Sequence, residues 1–169
     1  EVVKYGALRD EGLLVDLDTL KGDPEPVIRK CVAIKAEIVS GDLCDNGVRQ
    51  LLNFGHTFGH AVEKASNYAL GHGQAVAVGM SMMARACALN GYCEKACALR
   101  LIRSLDALGL PTKTDIPVET LSQIMQADKK RRGGEITLVL LPEIGRCELQ
   151  SVSVAQATKW LREGWTSWT

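Results

Sequence analysis

The chain has 169 residues, 46% of them hydrophobic, and its twenty basic residues balance twenty acidic ones. That length and apolar content suit a packed domain and exclude a disordered chain. The lack of a basic excess argues against nucleic acid as a partner, and no run of roughly 18 apolar residues is available for a membrane span.

Glu1 to Leu8 is expected to be a helix entering from something earlier. It lacks an initiator Met, a basic n-region and an apolar h-region, so it reads as the interior of a longer chain. Leu13 to Leu20 reads as a short amphipathic piece, ended by Gly22 and Pro24. From Pro26, apolar Val27, Ile28, Cys31, Ile34 and Ile38 follow a helical period, and Gly41, Asp42, Asn46 and Gly47 then mark a loop. A second long helix is expected from about Val48 to Ser66, because Leu51, Leu52, Phe54, Phe58, Ala61, Val62 and Ala65 recur at helical spacing. Gly55 and Gly59 fall inside it, each costing about 1 kcal/mol relative to Ala in an exposed helix. Two such costs in one helix call for the close approach of another backbone or of a ligand.

A Gly/His-containing connection leads to a helix from about Gln74 to Asn90 that is apolar nearly all round, which marks it as the buried middle of a bundle. Glu94 to Leu108, closed by Gly109 and Pro111, and Val118 to Ala127 are further expected helices. Ile136 to Leu141 and Cys147 to Val152 are expected strands of a hairpin, and a last helix covers Val154 to Glu163. There is no β-α alternation and no G-x-G-x-x-G, so no nucleotide-binding sheet is expected. The expected fold is mainly α, a helical bundle with one small β-hairpin, forming a single domain over residues 1–169.

Cys31, Cys44, Cys87, Cys93, Cys97 and Cys147 are scattered with no C-x-x-C pair. They read as reduced thiols of a cytoplasmic protein rather than a disulfide framework. Cys93 and Cys97 could share a helix face, but two thiols alone make a poor metal site.

All three histidines lie between positions 56 and 72. His56 and His60, four apart on one expected helix, project from one face, and His72 follows in the next connection. Imidazole is the commonest metal ligand. A His pair at this spacing also occurs as a plain polar stripe, so the surroundings decide. Thr57 stands where the His-Glu-x-x-His motif needs Glu, which argues against a metalloprotease. Arg49, Asn53, His56 and His60 are spaced 4, 3 and 4, along one stripe of a helix whose other face is Leu, Phe and Val. A cation, an amide and two imidazoles on one stripe suit an anionic, hydroxyl-rich ligand with a metal beside it.

The run Arg49-Gln50-Leu51-Leu52-Asn53-Phe54-Gly55-His56-Thr57-Phe58-Gly59-His60-Ala61-Val62-Glu63 resembles the signature of the 3-dehydroquinate synthases. The stretch from His72 to Met80 resembles the family's next motif. Glu1-Val2-Val3-Lys4-Tyr5-Gly6 resembles its Glu-x-x-Lys segment. Asp128-Lys129-Lys130, with Gly134 and the hairpin, resembles its late Asp-Lys-Lys region. The match covers essentially the whole chain in order.

The resemblance implies the metal-binding C-terminal domain of that fold, with Glu1, His56 and His72 as ligands of zinc or cobalt. It implies that His60 contacts substrate and helps move protons, and that Lys4, Lys35, Arg49 and Asn53 hold substrate carboxylate, hydroxyls and phosphate, with Lys129 or Lys130 also on the phosphate. The family turns a seven-carbon keto-acid phosphate into 3-dehydroquinate by NAD-dependent oxidation, phosphate elimination, reduction and ring closure. Asp45 stands eleven residues before His56, where the family usually has Glu; it keeps the charge with a shorter reach and is expected to serve the same proton-handling or positioning role less directly.

The resemblance further implies that NAD is bound mainly by a nucleotide-binding domain expected to precede Glu1, which makes that domain a partner and this chain alone inactive. A homodimer is admitted, and neither membrane nor nucleic acid is expected. The competing readings are another sugar-phosphate cyclase of the 2-deoxy-scyllo-inosose or valiolone type, a metal-dependent polyol dehydrogenase, and a non-catalytic helical metal-binding or assembly module.

Overall fold

A computed structural model describes residues 1–15, 20–42, 47–130 and 135–166, with backbone alone at 15 and 128–130. In order, these residues form α1 (Val2–Leu8), α2 (Gly12–Val15), α3 (Glu25–Ser40), a 3-10 turn (Val48–Asn53), α4 (His56–Ala65) and α5 (His72–Leu89). Then come α6 (Lys95–Ala107), α7 (Val118–Lys130), β1 (Glu135–Glu143), β2 (Arg146–Ser153) and α8 (Val154–Trp165). The result is the expected helical bundle with one antiparallel hairpin, paired Ile136 to Val152 and Leu138 to Gln150. No helix among the described residues is long and apolar enough to cross a membrane.

The spine is α5. Every residue from Ala75 to Cys87 is buried, and the helix packs against α4, α6, α8 and β1. A helix that is apolar on all sides requires neighbours on all sides. Its start is closed by Gln74, whose Oε1 accepts from the Gly71 N–H at 3.1 Å.

Arg85 is the one cation within the buried stretch of α5, only 5% exposed. Its Nη1 donates to the Gly164 carbonyl at 3.2 Å and its Nη2 to the Thr112 carbonyl at 2.7 Å. It therefore ties α8 and the segment after α6 to the spine. Replacing Arg85 with Met is expected to lower the unfolding free energy by about 2–3 kcal/mol, the scale for charged hydrogen bonds removed from buried acceptors. Urea denaturation measures it, and an unchanged midpoint would show that these bonds do not hold the fold.

One expectation is corrected. The stretch from Val48 to Ser66 is not a single helix: a 3-10 turn runs to Asn53, and Gly55, at φ +80°, breaks the chain before α4 begins at His56. Left-handed backbone is cheap only for glycine. A Cβ on Gly55 would also run into the Met80 side chain, and would lie 2.7 Å from the Met80 nitrogen and 2.8 Å from the Val76 carbonyl. At Gly59 it would meet the Ala75 carbonyl and the Val76 Cα at 3.0 Å. The two glycines thus answer to the close approach of another backbone, that of α5.

Smaller differences follow local chemistry. The α7 helix runs to Lys130 rather than Ala127, and α2 covers Gly12–Val15, with 16–19 of the expected Leu13–Leu20 piece outside the described residues.

Candidate active site

The break at Gly55 sets the site. Because α4 starts at His56, His56, His60 and Glu63 follow at i, i+4 and i+7 on one face, while α5 starts at His72 beside them. The three imidazole rings converge: their centroids are 5.5 Å apart for His56–His60, 5.3 Å for His56–His72 and 5.8 Å for His60–His72. Rings bound to one tetrahedral zinc ion through Zn–N bonds of about 2.0–2.1 Å sit with centroids roughly 5 Å apart. The ligand atoms of His60, Glu63 and His72 already lie within 4.8 Å of one another.

Protonation favours metal binding. Burial, with the nearby charge of Lys4 and smaller contributions from His60 and His72, pushes the His56 pKa down to about 4. The ring is therefore neutral at pH 7. Its Nδ1 lies 3.3 Å from the Phe54 carbonyl, which can only accept, so the proton sits on Nδ1 and the Nε2 lone pair is left as a ligand. His72 Nδ1 lies 3.2 Å from Glu63 Oε2, the carboxylate–imidazole pairing that orients a ligating ring.

A pH dependence follows in the metal-free chain. An unfolded His titrates near its ordinary value of 6.5, whereas folded His56 resists protonation until about pH 4. Between those values the unfolded state binds more protons, so the His56 contribution to stability falls as pH drops from about 6.5 to about 4 and is constant below. The His56→Gln variant is expected to flatten that part of the curve, measured as urea midpoint against pH; an unchanged slope would assign it to another group.

Beside the histidines lies an ion pair between a buried lysine and an exposed carboxylate. Lys4, 5% exposed, donates to Glu1 Oε1 at 2.8 Å, and Tyr5 also hydrogen-bonds to Glu1. Burial opposes ionisation of Glu1, but the bond to Lys4 and its charge win, and the carboxyl titrates below its ordinary range. Burial and the Glu1 carboxylate push Tyr5 up to about 12. Lys4 is near enough to act on His56, while Glu1 is engaged by Lys4 and stands outside the 4.8 Å cluster.

Arg49 and Asn53 come from the 3-10 turn, not from α4, so their stripe with the histidines is a turn followed by a helix. The turn is pinned by Asp42, whose Oδ2 accepts from the backbone N–H groups of Gly47 at 2.7 Å and Arg49 at 3.2 Å. Asn53 is exposed and Arg49 half-buried. Lys35 is exposed on α3, which packs against α1 and the 3-10 turn. Lys129 and Lys130 end α7, which packs on α4, but their side chains lie outside the described residues, as does all of Asp45. Glu63 is the site residue that the sequence reading left without a role. Its signal was present, since positions 56, 60 and 63 complete one helical face.

The family described as "3-dehydroquinate synthase C-terminal" matches residues 1–131. The 3-dehydroquinate synthase of Halorhodospira halophila is 43% identical over 155 residues, covering 86% of this chain and 44% of the relative. That of Clostridium acetobutylicum is 39% identical over 170 residues, covering 96% and 48%. The chain therefore spans about half the length of the curated relatives it matches.

Among solved structures, a 2-epi-5-epi-valiolone synthase from Streptomyces hygroscopicus subsp. jinggangensis, with NAD+ and Zn2+ bound, superposes with a TM-score of 0.81 at 21% identity, over 96% of this chain and 48% of that one. A 2-deoxy-scyllo-inosose synthase with carbaglucose-6-phosphate, NAD+ and Co2+ gives 0.75 at 19% identity, over 96% and 50%. At those identities the structural likeness establishes the fold, and the sequence match establishes the family. This chain belongs to the 3-dehydroquinate synthase family and corresponds to its C-terminal domain.

Proposed function

We propose that these 169 residues are a single domain, the metal- and substrate-binding half of an NAD- and divalent-metal-dependent lyase. The reaction proposed for the whole protein converts 3-deoxy-D-arabino-heptulosonate 7-phosphate to 3-dehydroquinate and phosphate. The observation that carries the proposal is the convergence of His56, His60 and His72 at the α4–α5 junction, in a chain whose family match spans residues 1–131.

The donor set fits zinc or cobalt: imidazoles with one nitrogen beside an acceptor, and carboxylates at hand. His56, His72 and Glu1 are the proposed ligands, with Glu63 orienting His72. A bound ion would supply Lewis-acid polarisation of a substrate oxygen. If Glu1 turns to the ion, the Lys4 ammonium that now pairs with it becomes available to an anionic substrate group. Arg49, Asn53 and Lys35 are proposed to hold the carboxylate and hydroxyls, and Lys129 or Lys130 the phosphate. His60, exposed at the rim of the cluster, is placed to pass protons with substrate; Asp45 is proposed to assist. The sheet among the described residues has only two strands, so NAD is assigned to the part of the relatives that this chain does not span.

The relatives at 39–43% identity are dehydroquinate synthases, whereas the inosose and valiolone synthases lie at 19–21%, which favours the heptulosonate substrate. The test uses the protein at the length of its relatives, with NAD and zinc or cobalt. It is expected to release phosphate from the heptulosonate phosphate with no net NADH change. Glucose 6-phosphate and sedoheptulose 7-phosphate should be turned over at least ~100-fold less efficiently, because a site built to pair a carboxylate rejects ligands without one. Net NADH accumulation would identify a polyol dehydrogenase instead. The 169 residues alone are expected to be inactive.

A further inference from the structure

The connection between α4 and α5 is strained, and it brings the start of α5 back against the last turns of α4. Asn67 and Tyr68 take φ of +50° and +60°, and they are the only non-glycine residues among those described with left-handed backbone. Asparagine visits that region readily, whereas in a bulky residue it marks strain. Hydrogen bonds hold the conformation. The Glu63 carbonyl accepts from the Tyr68 N–H at 3.0 Å and from the Ser66 hydroxyl at 2.8 Å, and Ser66 Oγ accepts from the Leu70 N–H at 3.2 Å. Held in this way, the chain returns His72 to Glu63, with His72 Nδ1 3.2 Å from Glu63 Oε2. His60 precedes Glu63 on the same face of α4, and one ligand atom from each of the three residues lies within 4.8 Å of the others.

We propose that His60, Glu63 and His72 form a second, outer position for a divalent cation, distinct from the inner centre of Glu1, His56 and His72 and weaker than it. The inference rests on that inner centre for its shared ligand, His72. Glu63 Oε2 and His72 Nδ1 already stand at the separation of two ligands on one tetrahedral ion, which bonds of about 2.0–2.1 Å set at roughly 3.3 Å. His60 and His72 are exposed and Glu63 partly so, so these side chains close on an ion by rotation alone. The inner set instead requires Glu1 to leave the buried Lys4 ammonium, 2.8 Å away. Two imidazoles and one carboxylate suit zinc or cobalt, whereas magnesium and calcium take oxygen ligands.

The two positions exclude each other. A neutral imidazole carries one lone-pair nitrogen, so His72 serves one ion at a time. With an ion in the inner centre, the His72 Nδ1–H donates to Glu63. With an ion in the outer position, the lone pair lies on Nδ1, and Glu63 Oε2 becomes a ligand instead of a proton acceptor. The outer position is the weaker because binding there orders three solvent-facing side chains. It fills only when the inner centre is disabled and metal is in excess.

Zinc titration by calorimetry, on the protein at the length of its relatives, tests the outer position in a His56→Ala background. Zinc should still bind, one ion per chain, at least ~100-fold more weakly than in the wild type. Adding His60→Ala or Glu63→Gln should weaken that remaining binding by at least a further ~10-fold. His60→Ala alone should leave the wild-type affinity unchanged, because the inner centre does not use that ring. The outer position is overturned if His56→Ala binds no zinc, if the added substitutions leave its binding unchanged, or if His60→Ala alone weakens the wild type. A His56→Ala protein that binds as tightly as the wild type would refute the inner centre instead, and the added substitutions still decide the outer one. His56→Gln is the second background should His56→Ala not fold.

Discussion

Gly79→Ala is expected to destabilise the chain by at least about 3 kcal/mol, the upper range for forcing extra atoms into a filled interior. A Cβ at this position of α5 would overlap the Gly55 carbonyl oxygen and the Gly59 nitrogen. Both are backbone atoms, and they are bonded to each other, the Gly59 N–H donating to the Gly55 carbonyl at 2.9 Å in the first turn of α4. Neither can rotate away, so the helices must part. The same crossing holds His56 and His60 beside His72, so the substitution should weaken metal binding along with the fold. Gly73→Ala is the matched control in the same helix. A Cβ there meets nothing within 4 Å, and the change should be neutral or stabilising by about 0.5 kcal/mol. Urea denaturation of both variants tests the pair. A Gly79→Ala chain as stable as the Gly73→Ala chain would mean that α4 and α5 are not packed backbone to backbone.

The second large effect concerns the ring cluster. His56→Ala and His72→Ala are each expected to weaken zinc or cobalt binding by more than ~100-fold, since loss of a ligand exceeds the 10–100-fold cost of losing a supporting hydrogen bond. Glu63→Gln should fall within that smaller range, because it removes the charge facing His72 Nδ1 while leaving the ring in place. Activity of the protein at the length of its relatives should fall in step with metal occupancy and be recovered in part at higher metal concentration. The readout is metal content after dialysis, alongside turnover. Histidine variants that retain a full equivalent of metal would move the centre elsewhere.

Much of the bundle was legible because its signals are local. An apolar composition on every side could only mean a helix buried on every side, and α5 is that helix. The hairpin was legible from two short apolar runs around Pro142 and Gly145. The break at Gly55 was not, because a helical period of apolar residues continues straight through a 3-10 turn and the α-helix after it. Only the left-handed φ of Gly55, imposed where α5 crosses, separates the two.

The same distinction runs through the site. His56 and His60 were visible as a helical pair, and His72 joins them because Gly55, Gly59 and Gly79 let α4 and α5 meet. The burial of Lys4 against Glu1 and the anchoring of Arg85 by Gly164 and Thr112 depend on partners distant in sequence or on packing, and periodicity carries neither.

Cobalt(II) titration of the protein at the length of its relatives, followed by visible absorption and calorimetry, tests the metal centre most directly. One equivalent should bind, with an absorption band of a nitrogen- and oxygen-ligated ion. His56→Ala and His72→Ala should abolish the band, while Cys97→Ser should leave it unchanged. Absence of saturable one-to-one binding, or a band that survives both histidine substitutions, would contradict a catalytic metal centre at the junction of α4 and α5.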